Sequence, residues 1–173
     1  HLTLRADLST AKFPVIIDPS WSSTGAFISG GRDSFDAVLL ASGKVLISGN
    51  RPWDTRDSCE LFDSNTGVWS ATGSLLQGRE MHRSVRLQNG EVMVIGGRSQ
   101  NGDLTSCEIY NPATEQWRAT GSMSQRRIQH SATLLSNGSV LAVGGYDTFP
   151  VNSYLSSCEI YNPVSGQWSP ASP

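Results

Sequence analysis

The sequence repeats itself, and that periodicity constrains the fold more than any other feature. Trp21, Trp69, Trp117 and Trp168 fall 48, 48 and 51 residues apart, and Cys59, Cys107 and Cys158 recur at 48 and 51. The text around the cysteines repeats as well: Cys59-Glu60-Leu61-Phe62-Asp63, Cys107-Glu108-Ile109-Tyr110-Asn111, Cys158-Glu159-Ile160-Tyr161-Asn162. Thr24-Gly25, Thr72-Gly73 and Thr120-Gly121 follow the first three tryptophans, and an arginine comes next in each case (Arg32, Arg79, Arg127). A period of this size means one supersecondary unit that cannot bury its apolar faces alone and stacks on its neighbours.

Each unit reads as four antiparallel strands. An inner strand (residues 36–40, 83–87 and 131–135) runs into Ser42-Gly43, Asn89-Gly90 or Asn137-Gly138, which predict two-residue hairpin turns. A second strand (44–48, 91–95, 139–143) ends at Gly49, Gly96-Gly97 or Gly144-Gly145. A variable loop leads to the cysteine strand, and a turn beginning at Asp or Asn-Pro leads to the tryptophan strand. Composition agrees: 17 Gly, 8 Pro and 26 Ser in 173 residues, with 16% charged residues, describe a turn-rich all-β chain. Thirteen Lys and Arg against 15 Asp and Glu leave no basic excess for phosphate neutralisation, so nucleic acid is not an expected partner. No apolar run approaches the roughly 18 residues of a membrane-spanning helix. His1 without a charged-then-apolar leader is expected to mark a processing boundary.

The paired glycines Gly96-Gly97 and Gly144-Gly145, Tyr110 and Tyr161 before a turn, and Trp117 and Trp168 after it resemble the kelch repeat over roughly residues 32–173. The first unit departs from that pattern, with Asn50 for the second glycine and Phe62 for tyrosine. The resemblance, with phrasing similar to the bacterial, galactose-oxidase-like branch, implies an all-β fold of kelch β-propeller blades. The expected division is a degenerate N-terminal part at 1–31 and blades at 32–78, 79–126 and 127–173. Propellers close with about four to eight blades, and the resemblance implies six or seven for this family. The chain is therefore expected to be half a propeller, completed by a second copy in a homodimer or by the remainder of a longer chain.

Neighbouring third strands should lie roughly 15 Å apart, from about three strand spacings to the axis, too far for disulfides or a shared zinc. The three cysteines are expected to be free, buried and unreactive. Glu60, Glu108 and Glu159 point to the other strand face, either paired with Arg32, Arg79 and Arg127 as inter-blade ion pairs or exposed at the blade edge. His82 and His130 hold the place of Phe35 in the first blade, which favours packing over metal binding. Asn137-Gly138-Ser139 fits a glycosylation pattern, but Asn89-Gly90 in the same register favours a hairpin turn.

Strand direction collects the long loops 51–57, 98–103 and 146–154, together with the arginine-bearing links, on one rim, where function usually resides. Trp53, Phe149 and Tyr154 are candidates for an aromatic platform that stacks on a sugar or contacts a protein, unless they tuck under their own loops. Arg126-Arg127-Ile128 resembles text in kelch substrate adaptors, which implies acidic or carboxylate ligands for Arg79, Arg126 and Arg127; an ion-pair role competes for Arg127. A copper-radical oxidase like galactose oxidase is the alternative reading. That resemblance implies a copper held by two tyrosines and two histidines, whereas here Tyr110, Tyr161, His82, His130 and every cysteine serve the repeat. The expectation is a non-catalytic scaffold without a cofactor, binding a protein or carbohydrate outside the cell or at its surface.

Overall fold

Three glycines in left-handed conformation set the hairpins. Gly43, Gly90 and Gly138 have φ of 84°, 87° and 86°, and their N–H groups donate to the carbonyls of Leu40, Leu87 and Leu135 three residues earlier. The turns are thus one residue longer than the two-residue form expected, with only glycine taking positive φ. Asn89 and Asn137 contribute through their side chains, which accept from the Glu91 and Ser139 N–H groups at 3.1 and 3.0 Å.

The computed structural model of the chain describes residues 25–50, 57–149 and 152–171. Sixteen strands lie among them: β1 (Asp36–Leu39), β2 (Lys44–Ser48), β3 (Cys59–Asp63), β4 (Val68–Thr72), β5 (Arg83–Arg86), β6 (Val92–Ile95), β7 (Arg98–Ser99), β8 (Gly102–Asp103), β9 (Cys107–Asn111), β10 (Gln116–Thr120), β11 (Ser131–Leu134), β12 (Val140–Val143), β13 (Tyr146–Asp147), β14 (Ser153–Tyr154), β15 (Cys158–Asn162) and β16 (Gln167–Ala171). They form three four-stranded antiparallel sheets in the orders β1-β2-β3-β4, β5-β6-β9-β10 and β11-β12-β15-β16, hereafter blades 1, 2 and 3. The inner and second strands fall within one residue of their expected positions. Unforeseen are the two-residue ribbons β7-β8 and β13-β14, which stiffen the second-to-third loops of blades 2 and 3.

Alternation along the strands sends successive side chains to opposite neighbours. Leu46, Cys59 and Leu61 of blade 1 pack on Val92, Val94, Tyr110 and Trp117 of blade 2. The other face of blade 2, Met93, Ile95, Cys107 and Ile109, packs on Val140, Ala142 and Tyr161 of blade 3. Each core lies between blades, so no sheet is stable by itself. The aromatic anchors complete these layers. Tyr110 pairs with Trp117 across the strands with rings 5.1 Å apart, and the tyrosine hydroxyl meets Thr72 Oγ1 of the preceding blade at 2.6 Å. Tyr161 repeats this with Trp168 and Thr120. Each tryptophan Nε1 donates to a glycine carbonyl of the link before it: Trp69 to Gly25, Trp117 to Gly73, Trp168 to Gly121.

The cysteines are free, as expected, but they do not share one environment: Cys59 and Cys107 are buried and Cys158 is half-buried. Burial pushes the thiols of Cys59 and Cys107 up to about 12. Cys158 differs because the face of blade 3 on which it stands has no neighbour among the described residues.

Candidate functional site

The links between blades carry a repeated arginine device. In blade 2, Arg79 Nη1 donates to the Gly96 and Ser106 carbonyls at 2.8 Å each, Nη2 to Glu108 Oε1 at 2.6 Å and Ser106 Oγ at 3.3 Å, and Nε to the Gln77 carbonyl. Glu108 in turn accepts from the Leu76 and Gln77 N–H groups of the link. Arg127 does the same with Gly144, Ser157 and Glu159, and Arg32 with Gly49, Ser58 and Glu60. The glutamates are therefore paired and buried rather than exposed at the blade edge. One expectation needs correction: the pairs do not run between blades, because each arginine and its glutamate belong to the same unit. The device clamps the incoming link onto the sheet it is about to enter. A planar fork of five donors suits a site with this many acceptors.

Burial raises Glu60, but hydrogen bonds from Ser29, Arg32 and the Ile28 and Ser29 N–H groups outweigh it and hold the carboxyl near 2. For Glu159 burial is likewise outweighed, by the Ser124 N–H and Arg127, and its carboxyl is also lowered. Arg79 and Arg127 are both 0% exposed. Their guanidinium groups are engaged inward, which removes them from the ligand-contacting set.

His82 and His130 lie just beyond these arginines. Both are held down to about 3, first by burial and then by the positive arginines around them, so both are neutral near pH 7. His82 Nε2 meets Ser48 Oγ of blade 1 at 2.9 Å. A Cβ placed at Gly97 would sit 2.8 Å from the His82 Cβ and 2.6 Å from the Glu80 carbonyl, which is why the second glycine of the pair has no side chain. The histidines pack, as the equivalence with Phe35 implied. Among the described residues, no group of three or more His, Cys, Asp or Glu side chains could hold a metal ion.

The rim differs in kind. Between the loops of blades 2 and 3 lies a cavity of about 330 Å3 lined by Asn101, Gly102, Asp103, Arg126, Thr148 and Phe149. Its floor is a latch between loops. Asp103 accepts from Thr148 N and Oγ1, both at 2.7 Å, and from Arg98 Nε at 2.7 Å. Burial raises the Asp103 carboxyl, but Arg98 and Thr148 outweigh it and lower it below its ordinary value. At the mouth, the Arg126 guanidinium stands 5.2 Å from the centre of the Phe149 ring, a cation–π contact. Phe149 is 63% exposed, so it does not tuck under its loop. Tyr154, 91% exposed, leans on Tyr146 with ring centres 5.2 Å apart and lies outside the cavity lining. Trp53 falls outside the described residues. The structure thus brings Arg126 and Phe149 together, sets Tyr154 apart, and adds Asn101, Asp103 and Thr148, which the sequence did not single out.

Four-stranded antiparallel blades stacked face to face, with inner strands adjacent and long loops gathered on one rim, define a β-propeller architecture. Residues 82–124 and 129–173 match the kelch motif, and the chain belongs to the kelch-repeat family. The solved structure described as "Structure of YjhT" is similar to it at 14% sequence identity with a TM-score of 0.76, covering 89% of this chain. This chain spans 56% of the length of that one, a likeness of fold. No curated protein matches the sequence.

Proposed function

We propose that this propeller scaffold binds a protein or carbohydrate ligand, without catalysing a reaction, at the loop rim between blades 2 and 3. The observation that carries this reading is the exposed Phe149 ring with the Arg126 guanidinium stacked on it at the mouth of a cavity that two loops and a buried aspartate hold open. An aromatic face offers area at low conformational cost, and a guanidinium beside it adds donors for carboxylate or hydroxyl oxygens. Asn101 supplies a further amide at the same mouth. At about 330 Å3 the cavity stands at the lower end of the range of small-ligand sites.

Screening the purified chain against glycan and acidic-peptide arrays tests the proposal. A ligand retained by the protein and weakened at least about tenfold by Phe149→Ala or Arg126→Ala supports it. Retention unchanged in both variants removes the rim cavity as the site. Stoichiometric copper accompanied by oxidase activity in the purified protein would replace the scaffold reading with the galactose-oxidase-like one.

A further inference from the structure

An asparagine side chain can be attacked by the backbone nitrogen of the residue that follows it, and glycine, with no side chain, leaves that nitrogen least obstructed. The chain contains three such pairs: Asn89-Gly90, Asn101-Gly102 and Asn137-Gly138. By sequence the three are equivalent, but the fold treats them differently.

Two of them are held still. Asn89 Oδ1 accepts from the Glu91 N–H at 3.1 Å while its Nδ2 donates to Glu91 Oε2 at 2.8 Å, and Asn137 Oδ1 accepts from the Ser139 N–H at 3.0 Å. Their glycine nitrogens donate to the Leu87 and Leu135 carbonyls at 3.0 and 2.9 Å. Both turns close the inner hairpin of a four-stranded sheet, sealed by the Leu87 and Leu135 N–H groups on the Glu91 and Ser139 carbonyls at 2.8 Å. Gly138 also lies against the Gln88 side chain, whose Oε1 would stand 2.8 Å from a Cβ. A carboxamide fixed by its oxygen has to break that bond before its carbon can swing onto the next nitrogen.

Asn101 is not held in this way. It belongs to the turn of the ribbon β7-β8, in which Ser99 faces Gly102. Its backbone N–H donates to Ser99 Oγ at 3.1 Å, whereas its side chain is exposed and makes no hydrogen bond among the described residues. Gly102 has φ of 117°, and a Cβ built on it would find no atom within 4 Å, so its surroundings are open. A ribbon of two residues per strand is marginal and opens locally more readily than a hairpin inside a packed sheet.

We propose that the fold selects Asn101, alone of the three, as a site of self-modification, converting its amide to aspartate and isoaspartate. The Gly102 nitrogen gives up its proton and bonds to Asn101 Cγ. The Cγ–Nδ2 bond breaks, and Nδ2 leaves as ammonia with that proton, closing a five-membered succinimide ring. One water then opens the ring: cleavage at Cγ leaves aspartate on an ordinary backbone, and cleavage at the main-chain carbonyl leaves isoaspartate, with the backbone routed through the side chain. Neither an oxidant nor a cofactor is consumed. The product places a carboxylate in the cavity that Asp103, Arg126 and Phe149 also line. There it offers Arg126 an internal partner in competition with any anionic ligand; this consequence, unlike the chemistry, rests on the rim's being the binding site.

Incubation of the full chain at rising pH, followed by peptide mapping and by isoaspartyl methyltransferase labelling, tests the proposal. The acid form is expected to accumulate at Asn101 at least about tenfold faster than at Asn89 or Asn137. The rate should climb with pH, because the attacking nitrogen must lose its proton, and isoaspartate should appear at the same position. Denaturant should abolish the preference by releasing Asn89 and Asn137. Asn101→Gln should remove the fast signal, with a denaturation curve showing that this variant folds as the parent does. Equal rates at the three sites of the folded chain overturn the proposal, as does a preference for Asn101 that survives unfolding, because flanking sequence rather than fold would then set it. Acid at Asn101 without isoaspartate also overturns it, since water would then attack the amide directly. These readouts are mass and methyl transfer, so a failure of the rim as a ligand site in the arrays leaves them unaffected.

Discussion

Arg126 and Arg127 are adjacent in sequence and opposite in fate. Arg127 is sealed beneath the link with its guanidinium on Glu159, Gly144 and Ser157, while Arg126 stands in solvent over Phe149. The same contrast divides the molecule. The links repeat the same arginine–glutamate clamp in three units and hold the blades in place; the rim loops repeat neither length nor sequence and leave side chains uncommitted. A residue type that recurs in register serves the stack, and one that appears once is available for something else.

The contrast breaks most visibly at the arginines. Arg79→Ala takes the guanidinium away from the buried Glu108 and from the Gln77, Gly96 and Ser106 carbonyls, which is expected to cost about 3–5 kcal/mol. Arg126→Ala is expected to stay within about 0.5 kcal/mol. Equal losses in chemical denaturation would erase the division between link and rim. Gly96→Ala and Gly144→Ala come next. Both place a side chain at positive φ, about 1–2 kcal/mol each. At Gly96 the new Cβ also comes within 2.6 Å of the Arg127 carbonyl, whereas at Gly144 the nearest atom, the Leu155 carbonyl, lies at 3.3 Å, so the loss at Gly96 is expected to exceed that of Gly144→Ala by about 1–3 kcal/mol.

Acid titrates the same links. His82 and His130 have folded values near 3, below the ordinary 6.5, so the unfolded chain binds the protons first. Their share of stability is complete above about pH 6.5 and is lost as pH falls from there toward 3. Glu60, lowered from 4.5 to about 2, adds a loss that begins near pH 4.5 and continues toward 2. His130→Phe, which copies Phe35, is expected to flatten the upper part of this profile and leave the lower part, as followed by thermal melts between pH 7 and 3. The smallest effects belong to the rim: Phe149→Ala and Tyr154→Ala are expected to leave stability within about 0.5 kcal/mol, measured alongside the binding arrays.

Most of the blade architecture was legible because it was written three times. Aligning Trp69, Trp117 and Trp168 placed the strands, and their common register offered the pairs Arg79 with Glu108 and Arg127 with Glu159 as one of two readings, beside glutamates exposed at the blade edge. Their placement within a unit was not legible, because the arginine doubles back onto the strand its own link enters, a path that spacing alone does not encode. Half of the candidate site was hidden for the opposite reason. Asp103 and Thr148 are 45 residues apart in loops that do not repeat, and the ribbons that bring them together are two residues long, too short for any alternation to show. The half-burial of Cys158 was likewise invisible, since three cysteines in one register look alike until one of them faces no blade among the described residues.

Met81 N–H donates to the Ser34 carbonyl at 2.8 Å and Gln129 N–H to the Met81 carbonyl at 3.0 Å, and this relay from blade to blade gives the stack a direction, like the polarity of a filament. Length along that direction is quantised. A whole unit can be added or lost with the relay intact, whereas one residue inserted between Arg127 and Gln129 would move a donor off its acceptor and stop the relay at that blade. Whole-unit duplication is the change this backbone tolerates best, and the single residue is the change it resists.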